Sequence, residues 1–165
     1  LPFVRRAAAA ALVAAVVPAQ APNASGGPLL PSQACYDVRH VTLRITVTPD
    51  DKTIAGEMTL RADCTASSDR LRLDLDAPLE VRRVLLDGVE TPFEREGHHF
   101  DVLPAKPLAP GSAFTLTVDY GGAPRVALNP PWTGGFTWKQ TADGAPWIAT
   151  SCQGEGADLW WPCKD

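Results

Sequence analysis

The sequence predicts an all-β protein: an antiparallel β-sandwich followed by an irregular, Trp-rich C-terminal segment. Three observations carry this reading. Apolar and polar residues alternate in several short runs, which is the period of a half-buried strand. Turn residues punctuate those runs at short spacing, and no amphipathic helical pattern interrupts them. From Gly121 the alternation stops, and all five Trp lie beyond it, at Trp132, Trp138, Trp147, Trp160 and Trp161.

The elements follow in chain order. Arg5 and Arg6 precede an apolar run from Ala7 to Val17, and small residues follow at Ala19 and Ala21. A basic start, an apolar stretch and an A-x-A site describe a secretory signal peptide over residues 1–21. The run is too short to span a bilayer; a buried Ala-rich helix is the alternative. Cleavage fits after Ala19 or Ala21, and the protein is expected to be exported, to a periplasm or outside the cell. A first residue of Leu rather than Met fits a fragment or an alternative start codon. Residues 22–35 are rich in Pro, Gly and Ser and read as a flexible leader. The domain is then expected over residues 36–165.

Val41, Leu43, Ile45 and Val47 alternate with Thr42, Arg44, Thr46 and Thr48. Pro49-Asp50-Asp51-Lys52 is a turn, and Ile54, Gly56, Met58 and Leu60 form the returning strand of a hairpin. Leu71, Leu73 and Leu75 alternate with Arg72, Asp74 and Asp76. Val84 to Leu86, the Asp87-Gly88 turn signal and Val89 predict a second hairpin. Phe100 and Val102 give a short strand. Phe114, Leu116, Val118 and Tyr120 give another, opened by the Pro110-Gly111 turn. A long irregular stretch such as the tail carries function or packs against something else.

Composition bounds the function. At 165 residues and 17.6 kDa the chain is one domain. With 45% hydrophobic and 21% charged residues it is not intrinsically disordered. Four Cys are too few for a disulfide scaffold. A net charge of −4 argues against nucleic acid as a partner, since phosphate recognition needs a basic patch.

The residues that could carry chemistry are few. The His residues are His40, His98 and His99, none at metal-ligand spacing. Adjacent His98 and His99 point to opposite faces of a strand. A thiol nucleophile at Cys152 would need a His within reach, which the sequence does not place; an inert buried Cys is the plainer reading. The pairs Asp50/Asp51 and Asp74/Asp76 read as solvated charge. If Val47 pairs with Ile54, the same register brings Cys35 and Cys64 nearly opposite at the open end of the first hairpin. A disulfide there and two separate buried thiols are both compatible with the sequence.

Tyr36-Asp37-Val38-x-His40-Val41-x-Leu43, Ile54-x-Gly56 and Leu71-x-Leu73-x-Leu75 occur in that order. The closing segment runs from Ser151-Cys152-Gln153-Gly154-Glu155-Gly156 to Pro162-Cys163-Lys164-Asp165. Together these resemble the opening β-domain of aminopeptidase N-type zinc metallopeptidases. In that family a Y-D strand precedes an I-x-G strand, and a substrate loop runs from a Glu or Gln to P-C-x-D. The resemblance covers about residues 36–165. It implies a sandwich packed on a zinc-bearing catalytic domain, with zinc as the cofactor of the whole enzyme and none in this chain. Gln153, with Gly154 and Glu155, then matches the loop that holds the free N-terminus of a peptide substrate. The side-chain carbonyl of Gln accepts a hydrogen bond from an ammonium. Two departures stand out. The family's Arg-containing stretch before P-C-x-D is here Ala157-Asp158-Leu159, and the sequence contains no H-E-x-x-H or G-x-M-E-N. No catalytic or metal residue is therefore expected in this chain, and alone it is expected to be inactive. The alternative function is a secreted β-sandwich binding module whose Trp residues stack on sugars or a protein partner.

Overall fold

The computed structural model describes residues 28–164. The signal peptide expected over 1–21 and the first part of the leader lie outside the described residues. A four-residue helix, α1 (Pro31–Ala34), is followed by ten strands: β1 (Tyr36–Thr48), β2 (Thr53–Cys64), β3 (Leu71–Asp74), β4 (Leu79–Leu86), β5 (Val89–Glu90), β6 (Phe93–Glu96), β7 (His99–Val102), β8 (Ala113–Gly122), β9 (Gly135–Gln140) and β10 (Pro146–Ser151). All their ladders are antiparallel. Five strands form one sheet in the order β1-β2-β8-β4-β5, three form a second in the order β3-β7-β6, and β9 pairs with β10.

The alternation seen in the sequence sets which side chains go inside. Met58 and Leu60 on β2, Leu116 and Val118 on β8 and Val84 on β4 share one buried cluster with Leu71, Leu73, Phe100 and Val102 of the smaller sheet. The opposite face of the large sheet carries Arg44 paired with Glu57 and Thr59 beside Thr117. Val47 pairs with Ile54, as the hairpin reading requires, and Leu86 pairs with Val89 across the Asp87-Gly88 turn. Asp87 and Gly88 both have positive φ, at 50° and 79°, the signature of a type I′ hairpin.

Gly56 has a packing role. It lies opposite Tyr120 on β8, and a β-carbon at Gly56 would sit 2.5 Å from Cζ and 2.6 Å from Oη of that ring. Only a residue without a side chain lets the buried phenol lie across the strand.

Two expectations are corrected. The flexible leader over 22–35 is ordered at its end: residues 31–34 are helical, and Gln33 and Cys35 are buried. Pro31 opens the helix, where its missing N–H costs nothing, so a composition that reads as loop conceals a turn of helix too short to show periodicity. The irregular tail includes the β9–β10 hairpin, in which Trp138 stacks on Phe136 at 5.2 Å between centroids. Its inward alternation is only two aromatics long and is flanked by Gly and Pro, which hides it. Of the two readings left open for Cys35 and Cys64, the structure shows separate thiols, both free and buried. A register shift between Val38 and His40 moves the partner of Cys64 from Asp37 to Tyr36, which still leaves Cys35 one residue beyond the pair. The two thiols donate instead to separate carbonyls, Cys35 to Ser32 and Cys64 to Ala66.

Candidate functional site: the C-terminal loop and its anchor

The last described residues return along the free edge of β3. Asp74 and Cys163 exchange backbone hydrogen bonds of 2.7 and 3.0 Å, and the Asp76 amide donates to the Asp158 carbonyl at 2.9 Å. An edge strand left open is a pairing hazard; here the tail closes it. Lys164 donates through Nζ to the Tyr36 carbonyl and stands 4.7 Å from the centroid of the Tyr36 ring, a favourable cation–π position. The Tyr36 hydroxyl in turn donates to the Arg72 carbonyl at 2.7 Å. Burial, then the neighbouring Cys35, Asp74 and Cys163, hold that hydroxyl well above its ordinary pKa. Three of the four stretches behind the family resemblance, at Tyr36, Leu71–Leu75 and Pro162–Lys164, thus converge on one seam.

Upstream of the seam, the carbonyl of Cys152 accepts from the amides of Glu155 at 3.2 Å and Gly156 at 3.0 Å. This closes a tight turn with Gln153 and Gly154 exposed at its tip. Glu155 instead faces inward. Its Oε1 accepts from the Gly134 amide at 3.0 Å and its Oε2 from Arg125 Nη1 at 2.6 Å. Arg125 holds Asp76 with its other two nitrogens, Nε at 3.0 Å and Nη2 at 2.7 Å. Asp76 is fully buried and is also met by the Ala77 amide and by His98 Nδ1, at 3.0 and 2.9 Å. The guanidinium pKa is raised, first by its hydrogen bonds to Asp76. A β-carbon at Gly134 would lie 2.4 Å from Leu159 Cδ1, so this glycine lets the loop approach closely.

Asp158, at the centre of the one-turn 3₁₀ helix Ala157–Leu159, is buried. Burial first, then Asp74 and Asp76, push its carboxyl pKa up to about 6. Arg95 donates through Nη2 to the carbonyls of Leu75 and Asp76 at 2.8 and 3.0 Å, fixing the chain where β3 ends.

The structure therefore brings Gln153, Gly154 and Glu155 onto one turn but divides them between tip and base. The reading of Asp74/Asp76 as solvated charge is corrected at Asp76: strand alternation ends at Asp74, and Leu75 and Asp76 are both fully buried. No local pattern marks Arg125, and Asp158 stands out only as part of a departure from the family's loop; the groups that face both lie far away in the chain. Cys152 is half-buried, and burial raises its thiol pKa, the opposite of what activates a nucleophile.

Among the described residues no group of three or more His, Cys, Asp and Glu side chains is placed to hold a metal ion. His98 is committed to Asp76, and His99 stands 3.6 Å from Glu96. The zinc implied by the resemblance does not fit these residues. No helix among them is long and apolar enough to cross a membrane.

Fold and seam define a β-sandwich that presents a fastened turn near its C-terminal end. This is the fold of the N-terminal β-domain of M1 zinc metallopeptidases, the aminopeptidase N-like group. An M1 zinc metallopeptidase from Deinococcus radiodurans, bound to a Tyr-Ser-Ala substrate, superimposes with a TM-score of 0.57 at 21% identity, over 79% of this chain and 29% of its own. A two-domain M1 zinc metallopeptidase bound to L-tryptophan matches with a TM-score of 0.61 at 24% identity, over 79% and 29%. Yeast LTA4 hydrolase matches with a TM-score of 0.64 at 24% identity, over 86% of this chain and 23% of its own. At these identities the likeness is one of fold, and the chain spans less than a third of the length of each. No family model and no curated protein sequence matches the chain.

Proposed function

We propose that the chain is the N-terminal, substrate-loop-bearing domain of an exported zinc-dependent aminopeptidase that removes N-terminal residues from peptides. The observation that carries this reading is the exposed tip at Gln153, set on an anchored turn within the fold of M1 metallopeptidases. Gln153 accepts one hydrogen bond from the ammonium of the substrate's first residue, which makes the enzyme read a free N-terminus. Zinc and the groups that attack the peptide bond come from a catalytic domain outside the residues described. That domain is the partner of the exposed apolar residues Val126, Leu128, Trp132 and Trp147, since aromatic residues are enriched at interfaces. Trp138, Trp160 and Trp161 pack on the sandwich's own core.

The test is Gln153→Ala in the longer protein carrying the catalytic domain. Losing a hydrogen bond to a charged group costs about 1.5–3 kcal/mol, or roughly ten- to a hundredfold in kcat/KM on unblocked peptides. An unchanged kcat/KM removes Gln153 from the site.

A further inference from the structure

Resting on the reading of Gln153 just given, we infer that Arg125 is a positioning residue for substrate recognition, acting through Glu155 to fix the turn that carries Gln153. The turn has little to hold its tip in one orientation. Its own closure is the pair of bonds to the Cys152 carbonyl, and Gly154 and Gly156 flank Glu155 at positive φ, 76° and 105°. Glycine leaves the backbone free to adopt other conformations. A recognition group needs its orientation set before the ligand arrives.

The Glu155 side chain supplies that constraint. It is held at both carboxylate oxygens, by the Gly134 amide and by Arg125, two positions along the chain from Gln153. Each nitrogen of the Arg125 guanidinium already serves a carboxylate of this chain: Nη1 donates to Glu155, and Nε and Nη2 donate to Asp76. Asp76 is itself fixed at the end of β3 by full burial, the Ala77 amide and His98. The order Asp76, Arg125, Glu155 thus links the sandwich to the tip of the loop through charge-assisted bonds, the strongest kind in proteins. The Arg125 side chain bonds to Asp76 and Glu155, so its effect on recognition runs through them.

The two carboxylates separate fold from recognition. Asp76 with Arg125 holds the end of β3, whereas Glu155 with Arg125 holds only the turn. Glu155→Gln keeps shape and volume but presents a single oxygen where two donors, the Gly134 amide and Arg125, now each have their own. In the longer protein with its catalytic domain, E155Q is expected to raise KM for unblocked aminoacyl anilides roughly three- to tenfold, with kcat changed less than twofold. In a Gln153→Ala background the same change is expected to add nothing further, because the residue being positioned is gone. Arg125→Met is expected to raise KM at least as much and also to lower Tm, through loss of the Asp76 contact. If that variant fails to fold, E155Q alone decides. The inference is overturned if E155Q leaves KM unchanged while Gln153→Ala raises it, or if the two losses multiply. If Gln153→Ala itself has no effect, the functional reading falls, and this inference with it.

Discussion

Gly56 and Tyr120 face each other across β2 and β8, and the phenol ring fills the space a side chain at Gly56 would need. Gly56→Ala must displace a fully buried ring from a packed core. Overpacking of this kind costs about 1–3 kcal/mol, to be read as a lower midpoint in urea unfolding with an unchanged m-value. The Tyr120 hydroxyl is buried without a hydrogen-bond partner among the described residues. Tyr120→Phe is therefore expected to be neutral or slightly stabilising, which separates the role of the ring from that of its oxygen.

Asp158 gives the domain an unusual acid response. Its folded pKa is raised to about 6, chiefly by burial and then by Asp74 and Asp76, with His98 opposing. A carboxyl raised in this way binds its proton more tightly folded than unfolded. Its contribution to stability is complete below the unfolded value near 3.8 and is lost as pH rises through about 6. Across that window the loss amounts to about 2–3 kcal/mol. Asp158→Asn is expected to flatten this part of the profile and to stabilise the chain at pH 7, as read by Tm in buffers from pH 4 to 7.5.

Asp101 acts in the opposite direction. It is buried on β7 and accepts from Arg72 Nε and Nη2 and from Arg70 Nη1. The hydrogen bonds from Arg72, and then those from Arg70, outweigh burial and hold its pKa below the usual carboxylate value. Its stabilisation is present above the unfolded pKa and is lost as pH falls through the lower folded one. Asp101→Asn is expected to cost about 2 kcal/mol at neutral pH and progressively less below pH 4, as read by denaturant unfolding at each pH.

The chain by itself is expected to hydrolyse no aminoacyl anilide and to carry no stoichiometric zinc, since positioning a substrate without a reacting group leaves the amide barrier standing. The measurement is metal content and activity of purified residues 22–165, with and without added zinc. Chelator-sensitive hydrolysis by that chain would overturn the assignment of catalysis to another domain. The exposed Leu128, Trp132 and Trp147 should also bind a hydrophobic dye when no other domain covers them.

What the sequence made legible was whatever repeats locally. The first hairpin follows from alternation between Val41 and Leu60, and the second from Asp87-Gly88. Gln153 stood out only through resemblance of the loop around it. Arg125 and Asp76 are 49 positions apart, and Asp158 becomes significant only when folding places it near Asp74 and Asp76. No local pattern announces a charge whose partner arrives from another sheet or loop. Cys35 shows the complementary limit: the hairpin register is readable from alternation, but the shift between Val38 and His40, which moves the partner of Cys64 from Asp37 to Tyr36 and so one residue closer to Cys35, is not.

The seam also sets an order of events during synthesis. Tyr36 and Lys164 are 128 positions apart, and the backbone pairing that closes the β3 edge waits for Cys163. Contacts of such long separation form late, because the chain between them must already be collapsed. On a ribosome the hairpin of β1 and β2 can assemble as soon as it emerges, while the edge of β3 stays unpaired until nearly the whole domain is outside the exit tunnel. During translation, at roughly 5–20 residues per second, that leaves a nascent strand exposed for several seconds, an interval in which a chaperone has a binding site that the finished domain no longer offers.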